Sequence, residues 1–533
     1  MSSVGFILNF FTRRAHQVRI VKNVRRFHIS NWDLAVKGKS VAQKKSDEVF
    51  NAQKQLILDY IKKGNLDCVD ALKANVIEKG NSFRTGQIVS DVSFDGHFIA
   101  MCSDAGAFSL ARNYFLRLYN SGKAGTAAIG KFFILCHDHK AQCSAEDRQL
   151  MLELYDRLLE KYGVLDTSTC GAVAQGLALT DRWRSEIPRL FKMIEQGGAQ
   201  PSSSNWATAV EAAWLHGDEK SAWEFMDAAA MSGRHLIPKI VQVVLEHPLT
   251  FKPLLRWLEK HGVILDKHCA DVLVEMAPTQ NATANYTTIL RSGSCRNCRL
   301  NLRPTPLLED EFDRLREAFL ASVLVGKNVL CKTSDEEINS FLRFLDKSLP
   351  VDVVLDGLNI AYLSNRLSSK SSRLVKYVTS HFVLQSKKVL VIGRKHMENW
   401  PAHDMNYIRS NAKVFFAENL SQDDPFLLYA ALKSGIGTRF VSRDRMGSHK
   451  FLLPDVQLRR IFSKWQALHQ YHPLHVSEAD GRVFLRAPLK SVREAQALRP
   501  DLWHVPVVDH SQTNVEGHLQ DERAPWLCVK FEN

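Results

Sequence analysis

Three things are scarce in this 533-residue chain. No apolar run reaches the roughly 20 residues that a membrane-spanning helix needs, so the sequence offers no candidate for one and no membrane partner is expected. Ligand-spaced cysteines are nearly absent. Ten cysteines are scattered, and Cys295-x-x-Cys298 is the one close pair, which argues against a disulfide framework and predicts reduced thiols plus one metal site. Acids are missing from two stretches, residues 1–32 and 357–397. With hydrophobic residues at 45% and charged residues at 24%, the chain has the composition of a globular protein, and its length allows two to four domains.

The first acid-free stretch explains most of the charge. The chain carries +13, and residues 1–45 hold ten Lys or Arg against Asp33 alone, or +9, leaving +4 for the rest. Basic residues, serines and the apolar side chains of Phe6, Ile7, Phe10 and Phe11 make residues 1–34 read as a mitochondrial transit peptide, with matrix localisation expected. A basic RNA-binding arm is the alternative. Residues 35–46 are polar and read as a linker.

The stretch with the most chemistry is 351–359, Val-Asp-Val-Val-Leu-Asp-Gly-Leu-Asn. It predicts a buried parallel strand ending at Asp356, and in open α/β sheets ligands sit beyond such ends. Strands are expected at 351–356, 387–392, 412–417 and 438–442, and helices near 369–385, 403–410, 425–434 and 455–469. Asp424 reads as a helix N-cap with Pro425 at the first helical position. Asp423, Asp424 and Asp444 could then reach the crevice that holds Asp356. Four carboxylates on one edge repel unless a cation lies between them, and hard oxygen ligands suit Mg²⁺ or Mn²⁺. Taken singly, each acid is more often a cap or turn residue; their combination is what carries the reading. The acid-free stretch 357–397 holds eight Lys or Arg, a flank suited to a polyanion, with a solvated helix face as the alternative.

Asp356-Gly-x-Asn359, Asp423-Asp424 and Ser442-Arg-Asp444 resemble the NYN/PIN-like metallonuclease domain of the protein-only ribonucleases P, and Asp-Gly-Leu-Asn-Ile-Ala resembles most the animal mitochondrial branch. The resemblance implies metal-dependent endonucleolytic removal of the 5′ leader from precursor tRNA, leaving a 5′-phosphate on the tRNA. It makes Asp356, Asp423, Asp424 and Asp444 the catalytic metal ligands, with Asn359, Arg443, Arg445 and His449 in support. It also implies a tRNA methyltransferase and a short-chain dehydrogenase as partners. Another NYN-domain RNA endonuclease and a non-catalytic RNA-binding protein are the competing readings.

Residues 47–284 predict helices throughout. Gly163, Gly198 and Gly233 end three similar segments at a spacing of 35 residues, with Tyr155, Leu190 and Phe225 in register, and so are Leu158, Met193 and Ala228. The period resembles pentatricopeptide repeats, which implies a helical superhelix that binds RNA; a protein-binding solenoid shares the period. Cys295-x-x-Cys298 is half of a tetrahedral Zn²⁺ site. His504 and Cys528, on two short expected strands, complete a Cys₃His set that the family resemblance supports, with His510 and His518 ranked lower. The expected domains are thus 47–284 helical repeats, 306–473 nuclease, and a split zinc-binding β module from 285–305 and 474–533 that includes the Asp480-Gly481 hairpin.

Overall fold

The computed structural model describes residues 41–80, 88–290, 292–324, 334–364, 371–418, 423–477, 480–509 and 524–532. The expected transit peptide lies outside them, as do Arg366, Lys370, His510 and His518. The chain divides into two compact units, Met1–Gln200 and Pro201–Asn533. This boundary falls inside the expected helical domain.

In the first unit the described elements are helices. The first runs Val41–Ile61, so helix begins within the stretch expected to be a linker. Asp91–Asp104, Thr126–Asp138 and Thr167–Leu177 stack in a row, each on the next but one in sequence. Helix Ala145–Tyr162 stops at Gly163, whose φ of +69° suits a residue without Cβ. Tyr155, Leu158, Leu190 and Met193 are buried. A side chain on Gly176 would strike the Phe133 ring at 2.1 Å, so the close helix approach there depends on glycine.

The second unit begins with further helices. Among them Ser203–Leu215, Pro238–Leu245 and Lys267–Met276 form the same kind of row. Gly233 and Gly262 again take positive φ at helix ends. The expected register weakens here: Phe225 and Ala228 are half-buried, and Met226 takes the core position.

The strands of this unit are β1 (Leu265–Asp266), β2 (Ala282–Thr287), β3 (Val353–Asp356), β4 (Val389–Arg394), β5 (Lys413–Ala417), β6 (Arg439–Val441), β7 (Gln470–Val476), β8 (Val483–Arg486), β9 (Gln496–Arg499), β10 (Leu502–Val508) and β11 (Trp526–Phe531). They form two sheets. One has the order β5-β4-β3-β6-β7-β8, parallel from β5 through β7, with β8 antiparallel on β7. Successive residues of β3 point to opposite faces. Val354, Leu390, Ile392 and Phe440 enter one core, and Val353, Leu355, Val389, Val391 and Val441 the other. Both faces are covered by helices, as a parallel sheet requires.

The hairpin around Asp480-Gly481 belongs to this mostly parallel sheet, not to the split β module where its sequence had placed it. A turn signal says that two strands pair, but not which sheet receives them. The other sheet has the order β1-β10-β11-β2 with β9 on β10. It takes β1 and β2 from before residue 285, so that module starts earlier than expected.

Candidate active site and metal cluster

Chain order β3, β4, β5 runs outward on one side of β3, and β6 returns to the other side. That reversal opens a crevice between the carboxyl ends of β3 and β6. Asp356 is the last residue of β3, and Ser442-Arg-Asp444 follows β6 directly. Asp423 and Asp424 begin the helix Asp424–Ser434 that links β5 to β6. Topology therefore gathers residues nearly 90 positions apart in sequence.

Asp356 is 5% exposed. One carboxylate oxygen accepts the Asn359 N–H at 2.9 Å, and the other accepts the Ser442 hydroxyl at 2.8 Å. Burial raises its pKa well above the carboxylate range, and the charges of Asp423 and Asp424 raise it further. These three acids therefore share one field. Asp423 is also pushed up, mainly by burial; the Arg394 guanidinium, 2.9 Å from its Oδ1, opposes that shift, and Asp424 adds to it. His449 Nε2 stands 3.4 Å from Asp424 Oδ2, and its buried Nδ1 has no hydrogen-bond partner among the described residues.

Asp444 is placed differently. It is exposed, its carboxylate accepts the Met446 N–H at 2.6 Å, and it is joined to Asp356 through Ser442, whose Oγ accepts the Asp444 N–H at 3.1 Å. Asn359 braces the same loop, its side-chain oxygen accepting the Arg443 N–H at 2.8 Å. Arg443 and Arg445 are exposed. One detail departs from expectation: Asp423, not Asp424, occupies the N-cap position, and it makes no capping bond because its carboxylate turns to Arg394. An ion pair outcompetes the cap here. The roles of Ser442 and Arg394 are not legible in sequence, since each depends on a partner far along the chain.

The second cluster is tighter. One ligand atom from each of Cys295, Cys298, His504 and Cys528 lies within 4.8 Å of every other, and this is the one such group of three or more among the described residues. No three carboxylates of the crevice lie that close to one another. His504 and Cys528 sit directly opposite in the β10–β11 ladder and so point to one face. Cys295 and Cys298 form a tight knuckle, closed by the Arg299 N–H to the Cys295 carbonyl at 2.9 Å. Burial pushes the His504 imidazole down to about 4 and the Cys528 thiol up to about 12. Burial works the same way on Cys295, yet the Thr287 hydroxyl and nearby amides hold its thiol below the usual value. Three sulfurs and a neutral imidazole are a donor set that fits Zn²⁺.

Residues 289–528 match the family model described as "Protein-only RNase P". Mitochondrial ribonuclease P catalytic subunits share 28% identity with the chain: that of Mus musculus over 440 residues and that of Rattus norvegicus over 434, each alignment covering 77% of this chain and 70% of the relative. Over residues 289–528 the chain is thus similar to the protein-only RNases P.

Proteinaceous RNase P 1, chloroplastic/mitochondrial, of Arabidopsis thaliana is 25% identical over 256 residues, 46% of this chain and 41% of that protein. The crystal structure of nuclear proteinaceous RNase P 2 from A. thaliana has the same fold at a TM-score of 0.54 and 17% identity, covering 83% of this chain and 99% of that one. The protein-only RNase P match runs from just before Cys295 to Cys528 itself, so it encloses both clusters.

Proposed function

We propose that this chain is the catalytic subunit of a mitochondrial ribonuclease P, which hydrolyses one phosphodiester of precursor tRNA and releases the 5′ leader. The observation that carries this reading is the convergence of Asp356 with Asp423 and Asp424 at the switch point of a protein-only RNase P domain. Asp356 and Asp424 would hold Mg²⁺ or Mn²⁺ directly, with Asp423 and Asp444 beside them. The fit rests on three mutually repelling carboxylates, those of Asp356 and Asp423 buried, which a divalent cation relieves. Such a cation supplies Lewis acidity, making a water more acidic and drawing charge from the scissile phosphate.

The chain's own residues prepare that step. Asp356 releases the proton that burial and its neighbours favour, and the Ser442 hydroxyl continues to donate to its Oδ2. Arg394 holds the Asp423 carboxylate in place, while His449 Nε2 stands beside Asp424 Oδ2. The basic flank after Gly357 supplies cations for phosphates. Cys295, Cys298, His504 and Cys528 would hold a structural Zn²⁺ with no open position for chemistry. The helical rows would be pentatricopeptide repeats that grip the tRNA. A tRNA methyltransferase and a short-chain dehydrogenase would activate the complex in the matrix.

Incubating the chain with 5′-labelled precursor tRNA and Mg²⁺, with and without those partners, tests the reading. One cut at the mature 5′ end, abolished by Asp424→Asn, is expected. Cuts dispersed along the RNA would instead favour another NYN-type endonuclease, and cleavage undiminished by Asp424→Asn would sink the assigned site.

A further inference from the structure

Residues 442–446 carry the part of the crevice contributed by β6, and their backbone is held largely by side chains from elsewhere. The Arg443 N–H is taken by Asn359. The carbonyls of Ser442 and Asp444 both accept from Gln470 Nε2, each at 2.8 Å. The Arg445 carbonyl accepts from Gln466 Nε2 at 3.0 Å, and the same nitrogen donates to Gln470 Oε1 at 2.7 Å.

Gln470 is 2% exposed and opens β7, the parallel neighbour of β6. A primary amide has two N–H donors and one carbonyl acceptor, and here all of them are used. Strand pairing alone does not require this. The β6–β7 ladder is a main-chain matter, and an apolar residue would fill the same buried position. What the amide adds is a fixed location for two carbonyls of the loop. Between those carbonyls the loop places Ser442 Oγ on Asp356 and turns the chain toward His449.

We propose that Gln470, oriented by Gln466, is a positioning residue for the cation site, setting the 442–446 loop against the ends of β3 and β6. The inference rests on the reading of the acids as cation ligands. Outer partners of this kind typically change metal affinity by about 10–100-fold when removed.

The test uses the full chain with its partners for cleavage, and the RNA-free chain for Mn²⁺ binding followed by electron paramagnetic resonance. Gln470→Glu sets an anion against two carbonyl oxygens, and Gln470→Met removes both donors at similar volume. For both variants, Mn²⁺ affinity and the single-turnover cleavage rate should fall by about tenfold or more. Filter binding of precursor tRNA and zinc content should stay at the wild-type level, and added Mg²⁺ should recover part of the rate for Gln470→Met. A merely structural role would not shift the cation dependence while sparing RNA binding. Wild-type Mn²⁺ affinity and rate, within about twofold, in both variants would overturn the proposal. If Gln470→Glu fails to unfold cooperatively, Gln466→Ala decides, since it leaves Gln470 in place but frees its orientation; unchanged Mn²⁺ affinity there also overturns it. Absence of Mn²⁺ uptake by the wild-type chain is a separate result, which defeats the assignment of the acids themselves.

Discussion

Replacing Asp356 with Asn should stabilise the cation-free protein while destroying its activity. The substitution is nearly isosteric. The amide oxygen can still accept the Asn359 N–H, and Ser442 Oγ can accept from the new NH₂ group instead of donating to Oδ2. What disappears is a buried carboxyl that, beside Asp423 and Asp424, must either carry an unfavourable charge or hold a proton. At an effective dielectric constant of about 20, repulsion between neighbouring like charges is worth about 2–4 kcal/mol. Losing a charge-assisted hydrogen bond costs about 1.5 kcal/mol or more in return. A net gain of about 1–2 kcal/mol at neutral pH is expected, which raises Tm by about 2 °C in a unit of this size.

The pH dependence has a definite sign. Folding raises the pKa of Asp356, so the folded wild type keeps a proton that the unfolded chain releases. That contribution is complete below the ordinary carboxylate value of about 4 and is lost as pH rises through the raised value. The advantage of Asp356→Asn should therefore be absent in acid and grow toward neutral pH. Mg²⁺ should reverse it by stabilising only the wild type. Thermal unfolding in EDTA and in Mg²⁺ at several pH values measures this. A variant less stable than wild type in EDTA at neutral pH would refute the account of Asp356 as a strained carboxylate.

Other outcomes follow from single contacts. Cys528→Ser should reduce bound zinc from one ion per chain toward none, read by elemental analysis, and should lower Tm because β10 and β11 lose their common anchor. Gly357→Ala should lower cleavage by about tenfold or more, because its Cβ would meet the Ile392 carbonyl oxygen at 2.9 Å and push Asn359 off the 442–446 loop. Arg394→Gln should weaken Asp423 placement and raise the Mg²⁺ concentration needed for half-maximal rate, with little change in Tm, as expected for a partly exposed pair. Gly262→Ala should cost about 1–2 kcal/mol, since it strains a φ of +54° and displaces the Arg460 guanidinium from Glu494; chemical denaturation reads that loss.

Local pattern determined a good deal by itself. The β-branched runs before Asp356 and Lys395 specify strands because only a two-sided core rewards continuous apolar residues. The helix starts near Ser371, Ala402, Asp424 and Val456 fall within two residues of the expected positions. The 35-residue glycine spacing marks helix ends, because the left-handed turn after a helix favours a residue without Cβ.

Tertiary structure decided what local pattern could not carry. The hairpin at 474–486 joined the nuclease sheet because β7 had an open parallel edge at β6, a fact absent from its own residues. Asp423 turned to Arg394 rather than capping its helix. Ser442 and Gln470 became part of the crevice through hydrogen bonds that span 86 and 28 residues. A side chain's chemistry is written in the sequence, but its partner is chosen by strand order. Only the reversal between β3 and β6 brings these groups to one edge.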